Sequence, residues 1–324
     1  MGPGTRVFVK PNLTWRTHIP GVTVRPEFLE ALTAVLVSRG AVVYIGESDG
    51  GYHGFVAEQA FEGHGLYRIA AKYGARLVNL STVPSEEVTV KVGNRTLRLR
   101  LPTLLLRDVD VFITVPVPKV HAMTGVSLAF KNQWGCLPDP MRLRQHHQFA
   151  EAIIGINKAL RPKLALFDAE YILNKNGPLI GEPMRKGLLI AARDLGAGSL
   201  VCCLIMGIDP WSIKHHRLAA REGMFPMNMS EVELNTQVSQ FCTERCSLQH
   251  TLVNRLALLA FNSRFLTTLL YDSWLADLAH RALYTLRRNR LLAGLFYGNL
   301  GPPPIEGSRT PKQRRSLADR LPPA

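Results

Sequence analysis

The sequence predicts an α/β protein with a mixed, mainly parallel sheet, flanking helices and a helical C-terminal extension. Three observations carry that expectation. Strand, helix and strand patterns follow one another directly at the N-terminus, the order of a parallel α/β unit. Val109 to Val115 is nearly all apolar, as a central strand buried on both faces should be. Finally, 46% of the 324 residues are hydrophobic, enough for a sizeable core.

Residues 5–10 read as the first strand, which Pro11 ends. Pro26 sits where a first helical turn tolerates it, opening a helix over Glu27 to Arg39 that Gly40 closes. Val42 to Ile45 is the next strand. Residues 57–74 read as one helix and Arg76 to Leu80 as a strand. Val88–Val92 and Thr96–Arg100 flank Gly93-Asn94, a hairpin signal with one wet face. After Val109–Val115, a helix is expected over Thr124 to Gln133 and another over 147–159. Leu164–Phe167 and Gly187–Ala192 read as strands, and 197–206 and 211–222 as helices. Residues 230–298 read as all-helical, rich in Leu and Arg. The expected organisation is an α/β ligand-binding core over 1–225, as one body or as lobes of about 1–145 and 146–225. A helical extension over 226–300 and a disordered basic, proline-rich tail over 301–324 complete it. Few folds begin on a core strand without a lead-in, so native sequence is expected before Met1.

No apolar run approaches the roughly 20 residues that span a bilayer, and the N-terminus lacks the apolar core of a secretory signal. The five cysteines are odd in number, and two are adjacent, which is not a disulfide framework. Cytoplasmic, reducing surroundings are expected. Cys242 and Cys246 lack a second thiol pair to complete a zinc site, and iron–sulfur spacing is absent. A net charge of +14 favours anionic partners. Arg281, Arg287, Arg288 and Arg290, interleaved with Leu291, Leu292, Leu295 and Phe296, suit peripheral contact with an anionic membrane. A docked helix with basic edges would look the same. No nucleic-acid motif is present, and nucleic acid is not an expected partner.

The densest chemistry runs from Pro116 to His147. Lys119 and His121 follow a strand end, and the expected helix puts Thr124, Ser127 and Lys131 on one face, with Asn132 ending it. Neighbouring cations bind an anion or lower one another's pKa, and a lysine so lowered is a base or nucleophile. Lys10, Asn12, Glu47, Ser48 and Asp49 lie at the C-terminal ends of the first strands, where open α/β sheets gather ligands. Asp168 ends another strand and can orient a lysine or histidine. Gly177 and Gly181 belong to turns that bring backbone N–H groups near a ligand. His146 and His147 are candidate metal ligands. A solvated surface helix and a capping histidine are the competing readings. Walker and GxGxxG motifs are absent.

Val7-Phe8-Val9-Lys10-Pro11-Asn12, Glu47-Ser48, Pro118-Lys119, Lys131-Asn132-x-x-Gly135, Asp168, Asn176-Gly177-Pro178 and Gly181 form an ordered set. Over roughly residues 5–223 it resembles the family catalogued as domain of unknown function 362. Members often carry ferredoxin-type cysteines, which this chain lacks, so no intrinsic iron–sulfur cluster is expected. They also tend to have an acidic residue shortly after the position of Asp194, where this chain has Gly198. The layout is similar to that of lactate racemase-type enzymes, which use a nickel-pincer nucleotide bound to a lysine. That likeness implies that Lys119 or Lys131 meets an anionic ligand or cofactor. A metal is a candidate cofactor.

Two functions follow as expectations. One is an enzyme or cofactor-binding protein acting on a small anionic molecule. Here Lys10, Lys119 and Lys131 bind the anion, His121 is acid or base, Asn12 and Asn132 orient the substrate, and Asp168 orients a base. The other is a non-catalytic partner of a redox complex, contacting protein through 226–300 and an anionic membrane through its basic helices. The first requires these side chains to converge on one pocket, and the second predicts a shallow or blocked one.

Overall fold

β1 (Arg6–Pro11), α1 (Pro26–Ser38) and β2 (Val42–Glu47) form the N-terminal unit, with β1 and β2 parallel and Val7 beside Val43. The computed structural model that shows this describes residues 2–250, 255, 258–259 and 263–272. Pro26 stands in the first turn of α1, where no helical N–H is needed. Gly40 follows the helix at φ 77°, the left-handed conformation that turns the chain into β2.

Where one helix over 57–74 is expected, there are two: α2 (Ala57–Gly63) and α3 (Leu66–Tyr73). The break is at Gly65, which takes φ 65°. β3 (Arg76–Asn79) pairs parallel to β2. β4 (Ser85–Val92) and β5 (Arg95–Pro102) form the expected hairpin, a separate two-stranded sheet. Leu97, Leu99 and Leu101 are its buried face, and Arg98 and Arg100 its wet one.

β6 (Val111–Val115) lies beside β1 and is central, as its apolar run predicts. The helix expected over Thr124–Gln133 is not formed. β7 (Lys119–His121) and β8 (Gly125–Ser127) make a tight antiparallel pair, and only Ala129–Asn132 is helical, as α4. Gly125 at φ 76° and the β-branched Val126 suit a hairpin and oppose a helix. α5 (Phe149–Leu160) precedes the long β9 (Leu164–Asn174) and β10 (Glu182–Ala192), which pair antiparallel. α6 (Leu195–Ile205) and α7 (Lys214–Arg221) follow. Among the described residues one sheet of eight strands runs β3-β2-β1-β6-β9-β7-β8, with β10 on the other side of β9. This sheet crosses residue 145, the expected division between lobes.

Residues 226–250 differ from the expected helical run. They hold only the short 3-10 turns Met229–Glu231 and Val238–Phe241. Their Asn, Ser, Thr and Gln residues offer side-chain hydrogen bonds that compete with a helix. The segment is tied to the core instead: Cys246 N–H donates to Met206 O at 2.7 Å and Gln249 N–H to Lys175 O at 2.7 Å. α8 (Arg264–Asp272) is helical. The expected basic helices over 281–298 and the tail over 301–324 lie outside the described residues.

The core has two halves, one on each face of the sheet. Val7, Val9, Ile45, Ile113 and Val115 pack beneath α1, α2 and α3. Phe8 and Phe112 face the other way, with Leu97, Leu99 and Ile153, and their rings meet edge to face at 5.3 Å. Gly46 allows this arrangement, since a Cβ there would stand 2.7 Å from the Phe8 ring. Gly46→Ala is therefore expected to cost about 1–3 kcal/mol of stability through overpacking, read as a lower urea midpoint at unchanged slope.

Candidate functional site

Side chains alternate along a strand, so Lys10 leaves β1 on the same face as Phe8, and Thr114 leaves β6 on the same face as Phe112. The aromatic pair fills the core, and two residues further on the same face carries polar groups at the strand ends. Lys10 is 1% exposed; its Nζ donates to Glu47 Oε2 at 2.5 Å and to Pro11 O at 2.8 Å. Asn132, from α4, donates through Nδ2 to Lys10 O and to Thr114 Oγ1, both at 2.9 Å, and its Oδ1 accepts from Asn12 at 3.0 Å. Asn12 Oδ1 accepts from Lys119 Nζ at 2.8 Å. Lys119 is fully buried and also donates to Thr14 Oγ1 and to the Val22 carbonyl. Burial first, and then the Lys131 charge, holds its pKa well below the ordinary lysine value. Gln133 extends the lattice from Thr114 to Asn157.

Lys10, Asn12, Glu47, Lys119 and Asn132 thus converge, but on one another. Gly135 lies against them: a Cβ there would be 2.4 Å from Glu47 Oε1 and 3.0 Å from Lys10 Nζ. Ser48 N–H donates to Glu47 Oε1, while its buried hydroxyl has no partner among the described residues. Asp49 is committed to the Ala57 N–H and to Asn79. Thr124 closes the β7–β8 turn by donating to Val126 O. Gly177 and Gly181 make room for backbone, with Cβ positions 1.8 Å from Val120 O and 2.3 Å from Asn174 O. Gly198 packs against Phe167 and Ala192, leaving no space for an acidic side chain.

Asp168 stands apart. It faces the α1 side of the sheet and accepts from Arg25 N–H at 2.8 Å and Arg25 Nε at 2.9 Å. Beside this pair is a dent lined by His18, Thr23, Val117 and Tyr171, among others. Its empty volume of about 160 Å³ is below the roughly 300 Å³ at which ligand pockets begin.

Lys131 differs from the other two lysines. Half-buried, it makes no hydrogen bond or ion pair among the described residues, and its ammonium lies 5.6 Å from the centre of the Phe149 ring. Burial, and then Arg142, lowers its pKa to about 7. Its charge in turn helps burial to depress His121, His146 and His215. His121 is buried, and its Nδ1 accepts the Met123 N–H at 3.1 Å, so the proton of the neutral ring is on Nε2. His146 stacks on Trp134 and Phe149, with its pKa pushed down to about 3 by burial. His147 Nδ1 meets Arg144 O at 2.8 Å. Among the described residues no three His, Cys, Asp or Glu side chains group to hold a metal ion. Lys214-His215-His216-Arg217 has the sequence of an exposed basic helix face, yet His215 and His216 are 1% and 0% exposed because α7 turns its histidines inward. Arg142, equally unforeseen, is buried and donates to the carbonyls of Asp49, Leu137 and Asp139. Only contact across the fold reveals these residues; Thr114 alone had a local signal, its parity with Phe112.

The fold and site together define a mainly parallel α/β protein with a closed polar lattice at its strand ends and a cluster of basic side chains beside it. The chain belongs to the family described as Domain of unknown function (DUF362), whose model matches residues 7–203. It is 29% identical over 239 residues to a thylakoid-associated protein of Synechocystis sp., covering 69% of this chain and 70% of that one. Among solved structures it is similar to the lactate racemase apoprotein from Thermoanaerobacterium thermosaccharolyticum, with a TM-score of 0.43 and 14% identity over 64% of this chain and 50% of the other. A structural-genomics protein from Thermotoga maritima matches with a TM-score of 0.37 and 15% identity, over 68% and 55% of the two chains. The chain spans about half the length of these two structures. No helix among the described residues is long and apolar enough to cross a membrane.

The lattice makes a testable demand on stability. Lys10→Met leaves the Glu47 carboxylate buried without its cation and is expected to cost about 3–5 kcal/mol. Adding Glu47→Leu should recover most of that loss, and a double-mutant cycle in urea measures the coupling.

Proposed function

We propose that this protein binds a small anionic molecule beside Lys131 and acts on it through that amine and His121. The observation that carries the reading is the contrast among three lysines. Lys10 and Lys119 are held by fixed acceptors, whereas Lys131 has no counter-ion among the described residues and lies near Arg142, His121, His146 and His215. A cation without an ion-pair partner favours an anion, and partial burial makes the attraction stronger than in bulk water. The lattice would serve as the rigid support that fixes α4, and hence Lys131, against the strand ends. The reading places the site away from Asp168 and keeps His146 as a wall rather than a metal ligand.

Titration calorimetry with oxalate and with inorganic phosphate tests this. One of the two is expected to bind, and Lys131→Met is expected to abolish the heat. Because the Lys131 pKa is lowered to about 7 from 10.5, the amine is charged below about pH 7 and neutral above it. Anion affinity should therefore fall as pH rises through 7. Without ligand the sign for stability is the reverse: the unfolded chain holds more protons between these values, so stability rises with pH across that window. Binding that is indifferent to both Lys131→Met and pH would rule the site out.

A second reading concerns location. The net charge of +14, the exposed Phe265 (73%) and Leu266 of α8, and the thylakoid-associated relative support contact with an anionic membrane from the cytoplasmic side. Co-sedimentation with vesicles containing phosphatidylglycerol is the check. Binding should weaken severalfold with added salt and with Phe265→Ser; equal binding to neutral vesicles would count against it.

A further inference from the structure

We propose that Lys131 Nζ is a nucleophile that forms an imine with a 2-oxo acid, which makes the anion of the binding reading above a 2-oxo carboxylate. The inference rests on that reading and adds a covalent step. Four arrangements support it. The amine is held over the Phe149 ring with no hydrogen bond among the described residues to be broken before attack. His121 is a neutral imidazole whose one hydrogen bond among the described residues is accepted at Nδ1, which leaves Nε2–H as a donor for a carbonyl oxygen. His215, 1% exposed, brings a second imidazole close enough to feel the Lys131 charge, and its Nε2 has no partner among the described residues. Positive charge for the carboxylate comes from Arg142, whose hydrogen bonds among the described residues all go to neutral carbonyls; Glu47, Asp49 and Asp139 act on it only through space, with no ion pair among the described residues. The depressed basicity of Lys131 fits the same role, since a substantial fraction of the amine is unprotonated near neutrality.

The chemistry balances without a further reactant. The nitrogen lone pair attacks the keto carbon, the carbonyl π pair moves to oxygen, and a carbinolamine forms. Both amine hydrogens pass to that oxygen, directly or by way of solvent, as the C–O bond breaks. Water leaves and a C=N bond remains. The positive charge of Arg142 nearby then stabilises electron density moving toward the imine, as proton abstraction or decarboxylation would require.

The test is reductive trapping on the full chain. Protein is incubated with pyruvate, treated with sodium borohydride and mapped by peptide mass spectrometry. The expected result is one reduced pyruvyl group, on Lys131, suppressed by excess oxalate and absent in Lys131→Arg, which keeps the charge. At saturating pyruvate the trapping rate should rise with pH and level off above about 7, the value of the Lys131 pKa, whereas an ordinary solvated lysine would keep gaining to far higher pH. No adduct, or adducts shared equally with exposed Lys72 and Lys214, would overturn the imine. If oxalate still binds wild type in a Lys131-dependent way, the anion site stands and only the covalent step falls. If oxalate and phosphate both fail as well, the two fall together.

Discussion

The Lys10–Glu47 ion pair is the constraint on which the rest of the site depends. Two unit charges at 2.5 Å, each almost wholly buried, join the C-terminal ends of β1 and β2. Burying charge is expensive, and attraction between the partners offsets the cost only when geometry is good and the remaining hydrogen-bonding capacity is used. That capacity is used here: Lys10 also reaches Pro11 O, and Glu47 also takes the N–H groups of Leu13 and Ser48. The pair needs Gly135 beside it, because any side chain there would collide with both partners. Gly135 follows α4 closely, so the ion pair fixes the path of the segment that carries Lys131 and Asn132.

The lattice grows outward from that pair by satisfying one buried group after another. Asn132 joins the Lys10 carbonyl to Thr114 and Asn12, Asn12 joins Lys119, and Gln133 carries the chain to Asn157 on α5. Such a network gains cooperatively when complete and is costly when one member is missing. It ties β1, β2, β6, β7, α4 and α5 into one rigid unit. It sits where it does because strand parity continues past the apolar core. Phe8 and Phe112 occupy the core, and Lys10 and Thr114 repeat their direction where the sheet ends.

Much of this was legible in the sequence, and the limits were physical. The parallel unit, the Gly93 hairpin, the central β6 and the positions of Lys10, Asn12, Glu47, Lys119, Lys131 and Asn132 follow from periodicity, turn chemistry and strand-end logic. What failed was local geometry where periods conflict. Residues 124–133 match a helical face by spacing, yet Gly125 and Val126 close a hairpin instead. His215-His216 read as surface because flanking Lys214 and Arg217 are polar, but α7 is short and its histidine face packs on Phe130 and Phe225. Roles were harder still, because spacing shows that residues approach one another without showing whether they meet a ligand or each other. Asp168 illustrates this: a strand-end carboxylate was expected to face the lysines, and the parity of β9 sends it to Arg25 on the other side.

That distinction separates support from reactivity among three lysines of similar sequence setting. A lysine with its protons in fixed hydrogen bonds is anchored, and its amine cannot approach a substrate without breaking them. Lys10 and Lys119 are of this kind, and Lys119 shows that extreme burial with a strongly shifted pKa is by itself a structural outcome. Lys131 is half-buried and has no such acceptors among the described residues. Its amine therefore responds to whatever enters beside it, while the lattice one residue away in Asn132 prevents the backbone from relaxing to give it a partner. Rigidity at Asn132 and an unmet charge at Lys131 are thus two consequences of the same short helix, and they make Lys131 the one of the three whose charge remains available to a ligand.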